Sequence, residues 1–154
     1  METRITATRY HDFSCGHRVV GHESKCRWLH GHNYRVTFSV EADFNPVTGR
    51  GKLDHVGRVV DFSVIKSELC QWLEDNWDHR FLMWREDPYL KIINEDDMPS
   101  CGIQPVPFNP TAENMGEFLI NNVAPSLLSP YHVKLVKVIV EETRKCSAEV
   151  SLCD

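Results

Sequence analysis

The stretch His30-Gly31-His32-Asn33-Tyr34-Arg35-Val36-Thr37-Phe38-Ser39-Val40-Glu41 alternates in character one residue at a time. His30, His32, Tyr34, Val36, Phe38 and Val40 share one side, while Asn33, Arg35, Thr37, Ser39 and Glu41 share the other. A period of two is that of a strand with one buried face. Downstream, Asn45-Pro46-Val47-Thr48-Gly49-Arg50-Gly51 carries the turn formers that close a strand, and Gly57 to Phe62 reads as a short second strand, so the pair predicts a hairpin. Ile65, Leu69, Trp72 and Leu73 then recur at helical spacing after Asp61 and Ser63, either of which can cap a helix start. A second helix is predicted from Pro110-Thr111, with Thr111 as N-cap and Met115, Phe118, Leu119 and Val123 as its apolar stripe. Val133 to Thr143 is rich in β-branched residues, and Ala148, Val150 and Leu152 alternate with Ser147, Glu149 and Ser151. Strands at both ends of the chain with two helices between them predict an α+β domain, a largely antiparallel sheet carrying both helices on one face. The segment from Arg80 to Asn109, with four prolines and the acidic run Glu95-Asp96-Asp97, is assigned no regular structure. It is expected to be a long loop at 80–109, a lid or a contact between subunits.

A chain of 154 residues is the size of a single domain and can bury roughly 70% of its unfolded surface. A net charge of -5 argues against a nucleic-acid or anionic-membrane partner, which clustered Lys and Arg would hold. No apolar run approaches a membrane span, and no apolar signal core follows Met1-Glu2-Thr3-Arg4, so the expected location is the cytoplasm. The six cysteines lack a C-x-x-C pair and are expected as free thiols, five of them plain packing residues.

His30-Gly31-His32 carries the strongest chemical signal. Residues two apart on a strand point the same way about 6.6 Å apart, and Gly31 is expected to leave the space between the imidazoles open. His17, ending the opening strand in Cys15-Gly16-His17-Arg18, is the best third ligand. Three His ligands leave one position open, as in catalytic zinc sites. The same pair also fits ordinary hydrogen bonds on a half-buried strand, and His-x-His occurs in iron and manganese sites. Cys26, four residues before His30 and flanked by Lys25 and Arg27, suits either a base or nucleophile or a fourth ligand that would close the site. Asp78-His79 is a candidate acid–base pair. Glu142 continues the face of Val136, Val138 and Val140, so its carboxylate either reaches solvent or is kept to bind something.

Phe13-Ser14-Cys15-Gly16-His17-Arg18, Cys26 followed by Leu29-His30-Gly31-His32-Asn33-Tyr34, and Gly57 through Lys66 resemble successive motifs of one family. Asp78-His79, Pro110-Thr111-Ala112-Glu113-Asn114 and Glu142-Thr143 follow in its order. The family is that of 6-pyruvoyl-tetrahydropterin synthase and its bacterial relative, 6-carboxytetrahydropterin synthase of the queuosine pathway. The resemblance implies a tunnelling fold (T-fold) whose subunits join their sheets into barrels, usually as a homohexamer with active sites at subunit interfaces. It further implies zinc on His17, His30 and His32, Cys26 as the base, Asp78 and His79 as its proton relay, and Glu142 as the anchor of a pterin triphosphate substrate. Thr111 and Glu113 match a motif near the pterin pocket. Arg18, Lys25, Arg27 and Lys66 are candidates for the triphosphate. Three residues between the Cys and the HGH motif resemble the carboxy-forming relatives, which implies 6-carboxytetrahydropterin as product; the alternatives are a pyruvoyl synthase and a non-catalytic zinc-binding module. The chain departs from the family in Gly16, where Ala is usual, in Trp77, where Leu is usual, and in the long segment 80–109.

Overall fold

The computed structural model describes residues 3–45, 50–51 and 53–153. The long strands form where the alternation predicts them. β1 (Thr6–His17) and β2 (His30–Ala42) pair antiparallel without interruption from Thr6↔Glu41 to His17↔His30. β7 (Val133–Thr143) lies antiparallel on the other side of β2, with a register shift between Ser39 and Val40, and β8 (Cys146–Ser151) returns against β7. Phe44–Asn45 and Arg50–Gly51 form a small separate pair, β3 and β4; the predicted turn residues Pro46 to Gly49 lie outside the described residues.

Two expectations are corrected. Gly57 to Phe62 is not a strand: Gly57 turns at φ 90°, and Asp61 caps a helix by accepting from the Ser63 N–H. The antiparallel partners of β2 are β1 and β7, so the hairpin pairs the first two long strands. Nor does 80–109 lack regular structure. β5 (Phe81–Trp84) runs parallel to β1, pairing Phe81 with Gly16 and Leu82 with His17, and β6 (Ile103–Val106) runs parallel to β5. The sheet order is β6-β5-β1-β2-β7-β8, with short 3-10 turns at Pro88–Ile92 and Glu95–Asp97 between β5 and β6. The sheet is therefore mixed, its antiparallel majority extended by two parallel edge strands.

The first helix spans 62–76 and the second 112–128, each with a wide π-helical turn in its middle, at Ile65–Cys70 and Leu119–Val123. Both lie on one face of the sheet. Phe13, Tyr34, Val36, Phe38, Val40, Val138 and Val140 meet Ile65, Leu69, Leu73, Met115, Leu119 and Leu128 there in one core. Trp77, 2% exposed, ends the first helix against the rings of Trp72, Phe13, Phe108 and Phe118, which gives the unusual aromatic at that position its packing role. The opposite face is polar, and among the described residues no element covers it. Arg35 forms a bidentate pair with Asp12 at 2.8 and 3.0 Å and lies over the Tyr10 ring, Thr8 bonds Ser39, and Ser14 donates to Asn33.

Candidate metal centre

The full β1–β2 register places His17 opposite His30 and Cys15 opposite His32, so all three imidazoles lie on the helix-bearing face at one end of the sheet. One nitrogen from each ring falls within 4.8 Å of the others. Backbone carbonyls set the ring orientations. His17 Nδ1 donates to the Pro110 carbonyl at 2.6 Å, just before the second helix, and His30 Nδ1 donates to the Trp28 carbonyl at 2.6 Å. Those bonds fix the tautomers and leave each Nε2 as a lone-pair donor, the arrangement by which carbonyls orient metal-ligating histidines. Nε2 of His30 and of His32 are buried without a hydrogen-bond partner, although a buried polar atom ordinarily has one. Three neutral imidazole nitrogens aimed at one point, two of them otherwise orphaned, fit zinc with a fourth position open.

Electrostatics favour the neutral form at two of the rings, His17 and His32. Burial pushes His17 down to about 4, against an opposing hydrogen bond to Pro110, and His30 and His32 lower it further. His32 is likewise lowered, chiefly by burial, with Glu142 opposing. Tyr34, fully buried beneath the cluster, holds its hydroxyl 3.3 Å from both His17 ring nitrogens; burial keeps the phenol protonated by raising it far above its ordinary value.

Glu142 reaches this cluster from β7. Its carboxylate lies 3.7 Å from His32 Nε2 and 4.0 Å from His17 Nε2, too far for hydrogen bonds, and with both rings neutral these are not ion pairs. Of the two sequence alternatives for Glu142, reaching solvent or facing a site, the side chain does both: it is 24% exposed at the cluster's mouth.

Cys26 lies half-buried in a 3-10 turn, Lys25–Arg27, and its thiol is not in the group of atoms gathered within 4.8 Å. The cluster so formed is open rather than closed by a thiolate. Asp78 accepts from the Ser14 N–H and from His79 Nδ1 at 2.9 Å. Burial works to raise the Asp78 carboxyl, but these hydrogen bonds outweigh it and hold it below its ordinary value. His79 sits in the left-handed region at φ 58° with its side chain 80% exposed, beside a cleft of about 450 Å³ lined in part by Ser14, Gly31, Asn33, Arg80 and Phe81. The Asp78–His79 pair is therefore anchored to β1 at Ser14, and His79 and His32 both line this cleft. Thr111 spends its hydroxyl as the N-cap, accepting from Asn114 N–H, while Glu113 is exposed in the helix's first turn.

Several readings of individual residues change. Gly31 points away from the imidazoles, to the other face, where an added Cβ would meet the Cys15 carbonyl oxygen at 3.1 Å. The motif needs glycine for close strand approach, not for room between rings. Arg18 is no triphosphate candidate: it is 9% exposed and doubly bonded to fully buried Asp87. Of the cysteines, only Cys15 and Cys70 are buried, while Cys101, Cys146 and Cys153 are exposed. The carbonyls of Pro110 and Trp28 escaped sequence reasoning because a backbone acceptor leaves no trace in residue type. Tyr34 was visible on the histidine face of the alternation.

A family model for 6-pyruvoyl tetrahydropterin synthase matches residues 6–152, and the chain belongs to that family of pterin lyases. It is similar to the 6-carboxy-5,6,7,8-tetrahydropterin synthases of Rickettsia felis, 32% identical over 149 residues, and Rickettsia typhi, 34% over 147, in both cases across 95% of this chain and 99% of the relative. Among solved structures, an uncharacterized protein of Wolinella succinogenes superposes with a TM-score of 0.78 at 23% identity, covering 97% of this chain and 99% of that one. The 6-pyruvoyl tetrahydropterin synthase of Plasmodium vivax gives 0.64 at 20% identity over 95% and 97%. The curled mixed sheet backed by two helices is the tunnelling fold. Among the described residues, no helix is long and apolar enough to cross a membrane.

Proposed function

We propose that this protein is a zinc-dependent 6-carboxy-5,6,7,8-tetrahydropterin synthase, converting 7,8-dihydroneopterin triphosphate and water to 6-carboxytetrahydropterin, acetaldehyde and triphosphate, in the cytoplasm and as a step toward queuosine. The observation that carries the reading is the open cluster of His17, His30 and His32, with Nε2 of His30 and of His32 buried and unpartnered, in a chain whose Rickettsia relatives bear that name. Zinc held by these three rings supplies Lewis acidity toward the hydroxyls of the substrate side chain.

The protein's own groups account for the rest. Cys26, on a turn leading into the cluster and flanked by Lys25 and Arg27, removes the carbon-bound proton. His79, oriented by Asp78, moves protons onward. Glu142, at the cluster's mouth, accepts two N–H groups from the amino-pyrimidine edge of the pterin. Thr111 and Glu113 border the pterin pocket where the second helix begins. In a homohexamer with active sites at subunit interfaces, a neighbouring copy supplies the Asp78 and His79 that face the cysteine. The uncovered polar sheet face and the exposed Ile5, Trp28, Leu29, Val56 and Phe62 supply surfaces for such an assembly.

The test is to incubate zinc-loaded protein with 7,8-dihydroneopterin triphosphate and identify products by mass. Acetaldehyde with 6-carboxytetrahydropterin is expected. Retention of all three side-chain carbons in 6-pyruvoyl-tetrahydropterin would reassign the chain to the pyruvoyl synthases.

A further inference from the structure

Asp87 is fully buried, an unusual place for a carboxylate unless it is paired. It comes from the segment between β5 and β6. Its partner is Arg18, next to the ligand His17. Arg18 Nε donates to Asp87 Oδ2 at 2.7 Å and Nη2 to Oδ1 at 2.8 Å, while the Tyr89 N–H adds a third bond to Oδ1 at 2.9 Å. The Tyr89 ring covers the guanidinium, with Cζ 3.9 Å from its centroid. A bidentate, stacked guanidinium has its direction fixed. The remaining donor, Nη1, points at the carbonyl of Arg27, 2.9 Å away.

That carbonyl follows Cys26 directly, and the carbonyl of Cys26 itself accepts from the Val19 N–H at 2.8 Å. The turn Lys25–Arg27 buries no side chain and has no side-chain cap; its other bonds are to near neighbours in the chain, Arg27 Nη1 to the Glu23 carbonyl at 3.1 Å and, just beyond it, His30 Nδ1 to the Trp28 carbonyl. The bonds from Arg18 and Val19 are the ones that tie it to the chain leaving β1.

We propose that Asp87 is a positioning residue for Cys26, acting through Arg18, so that the segment after β5 is a strut for the cysteine turn rather than a lid. The inference rests on the reading of Cys26 as the base. A group that removes a proton from carbon must be held closely, and a misplacement of about 1 Å can cost about a hundred-fold in rate.

Asp87→Asn tests it. The expected result is a fall in kcat of about ten- to a hundred-fold with KM within about two-fold, unchanged zinc content, and faster hydrogen exchange at the amides of Arg27 and Trp28. A paired variant separates positioning from stability. Arg18→Met with Asp87→Leu replaces both charges by apolar groups and recovers thermal stability, as buried pairs often allow. It restores neither kcat nor amide protection, because the bond to the Arg27 carbonyl is gone. If Asp87→Asn does not fold, the paired variant is read alone in the same way. Recovery of kcat together with stability in the paired variant, or unchanged exchange and kcat in Asp87→Asn, would overturn the proposal. The exchange readout needs no substrate: faster exchange in Asp87→Asn with a wild type inert toward pterin triphosphate would support the strut and overturn the activity.

Discussion

At the scale of single residues, the proposed function separates groups that hold from groups that react. Cys26→Ala is expected to keep the fold and full zinc occupancy while lowering turnover by about a hundred- to ten-thousand-fold, the usual span for a general base. Metal analysis beside product assay checks it, and loss of metal would return Cys26 to the ligand set. Glu142→Gln turns one acceptor into a donor facing a donor, so the bound pterin should weaken by about 1.5–3 kcal/mol with zinc unaffected. Calorimetry with a non-reacting pterin reads this, and unchanged affinity removes Glu142 from the pocket. Burial raises the Cys15 thiol to about 12 and also raises Cys70, so at pH 8 neither is a nucleophile. Brief alkylation of the native protein should therefore mark Cys101, Cys146 and Cys153 and spare these two. Labelling of Cys15 at a comparable rate would contradict its burial. Most of the site was legible at this scale, because His-x-His on an alternating stretch fixes face and spacing together. Its orienting carbonyls were not legible, nor was the pairing of Arg18 with a residue 69 positions away.

Among the elements, β5 explains a departure that the sequence alone left unexplained. An added Cβ at Gly16 would stand 2.5 Å from Phe81 Cδ2, so glycine here is the space into which the β5 ring fits. Gly16→Ala is expected to destabilise by about 1–3 kcal/mol through overpacking. Combined with Phe81→Ala, its cost should shrink below the sum of the two single changes. Urea denaturation of all four proteins gives the coupling, and strict additivity would disprove the contact. The two helices and four long strands were readable because each repeats its period over many residues. β5 and β6 escaped because each is four residues long, one contains Pro105, and their pairing joins segments far apart in the chain. The mistaken strand at Gly57 to Phe62 has a similar origin. Val59 and Val60 favour strands, but Asp54 and Asp61 hold Arg58 at 2.8 Å each and bend the chain into a helix start.

For the whole molecule, the three histidines tie the β1–β2 hairpin to the helical layer, since His17 is held by the carbonyl before the second helix. Metal bound there adds its binding energy to folding. Free zinc at about a thousand times its Kd should add about 4 kcal/mol over stripped protein. Thermal melts with and without chelator measure the difference, and coincident melts would show that the rings hold no ion. The unbroken pairing of β1 with β2 would give a bound ion a further role. A hairpin offset by one residue would set His17 against Gly31 and turn His30 and His32 to the opposite side of the sheet from it. Such a chain could bury many of the same side chains yet never assemble three nitrogens. Metal held by these three rings would thus proofread the threading of the sheet, and the fraction of refolded molecules that take up zinc would count those whose strands met correctly.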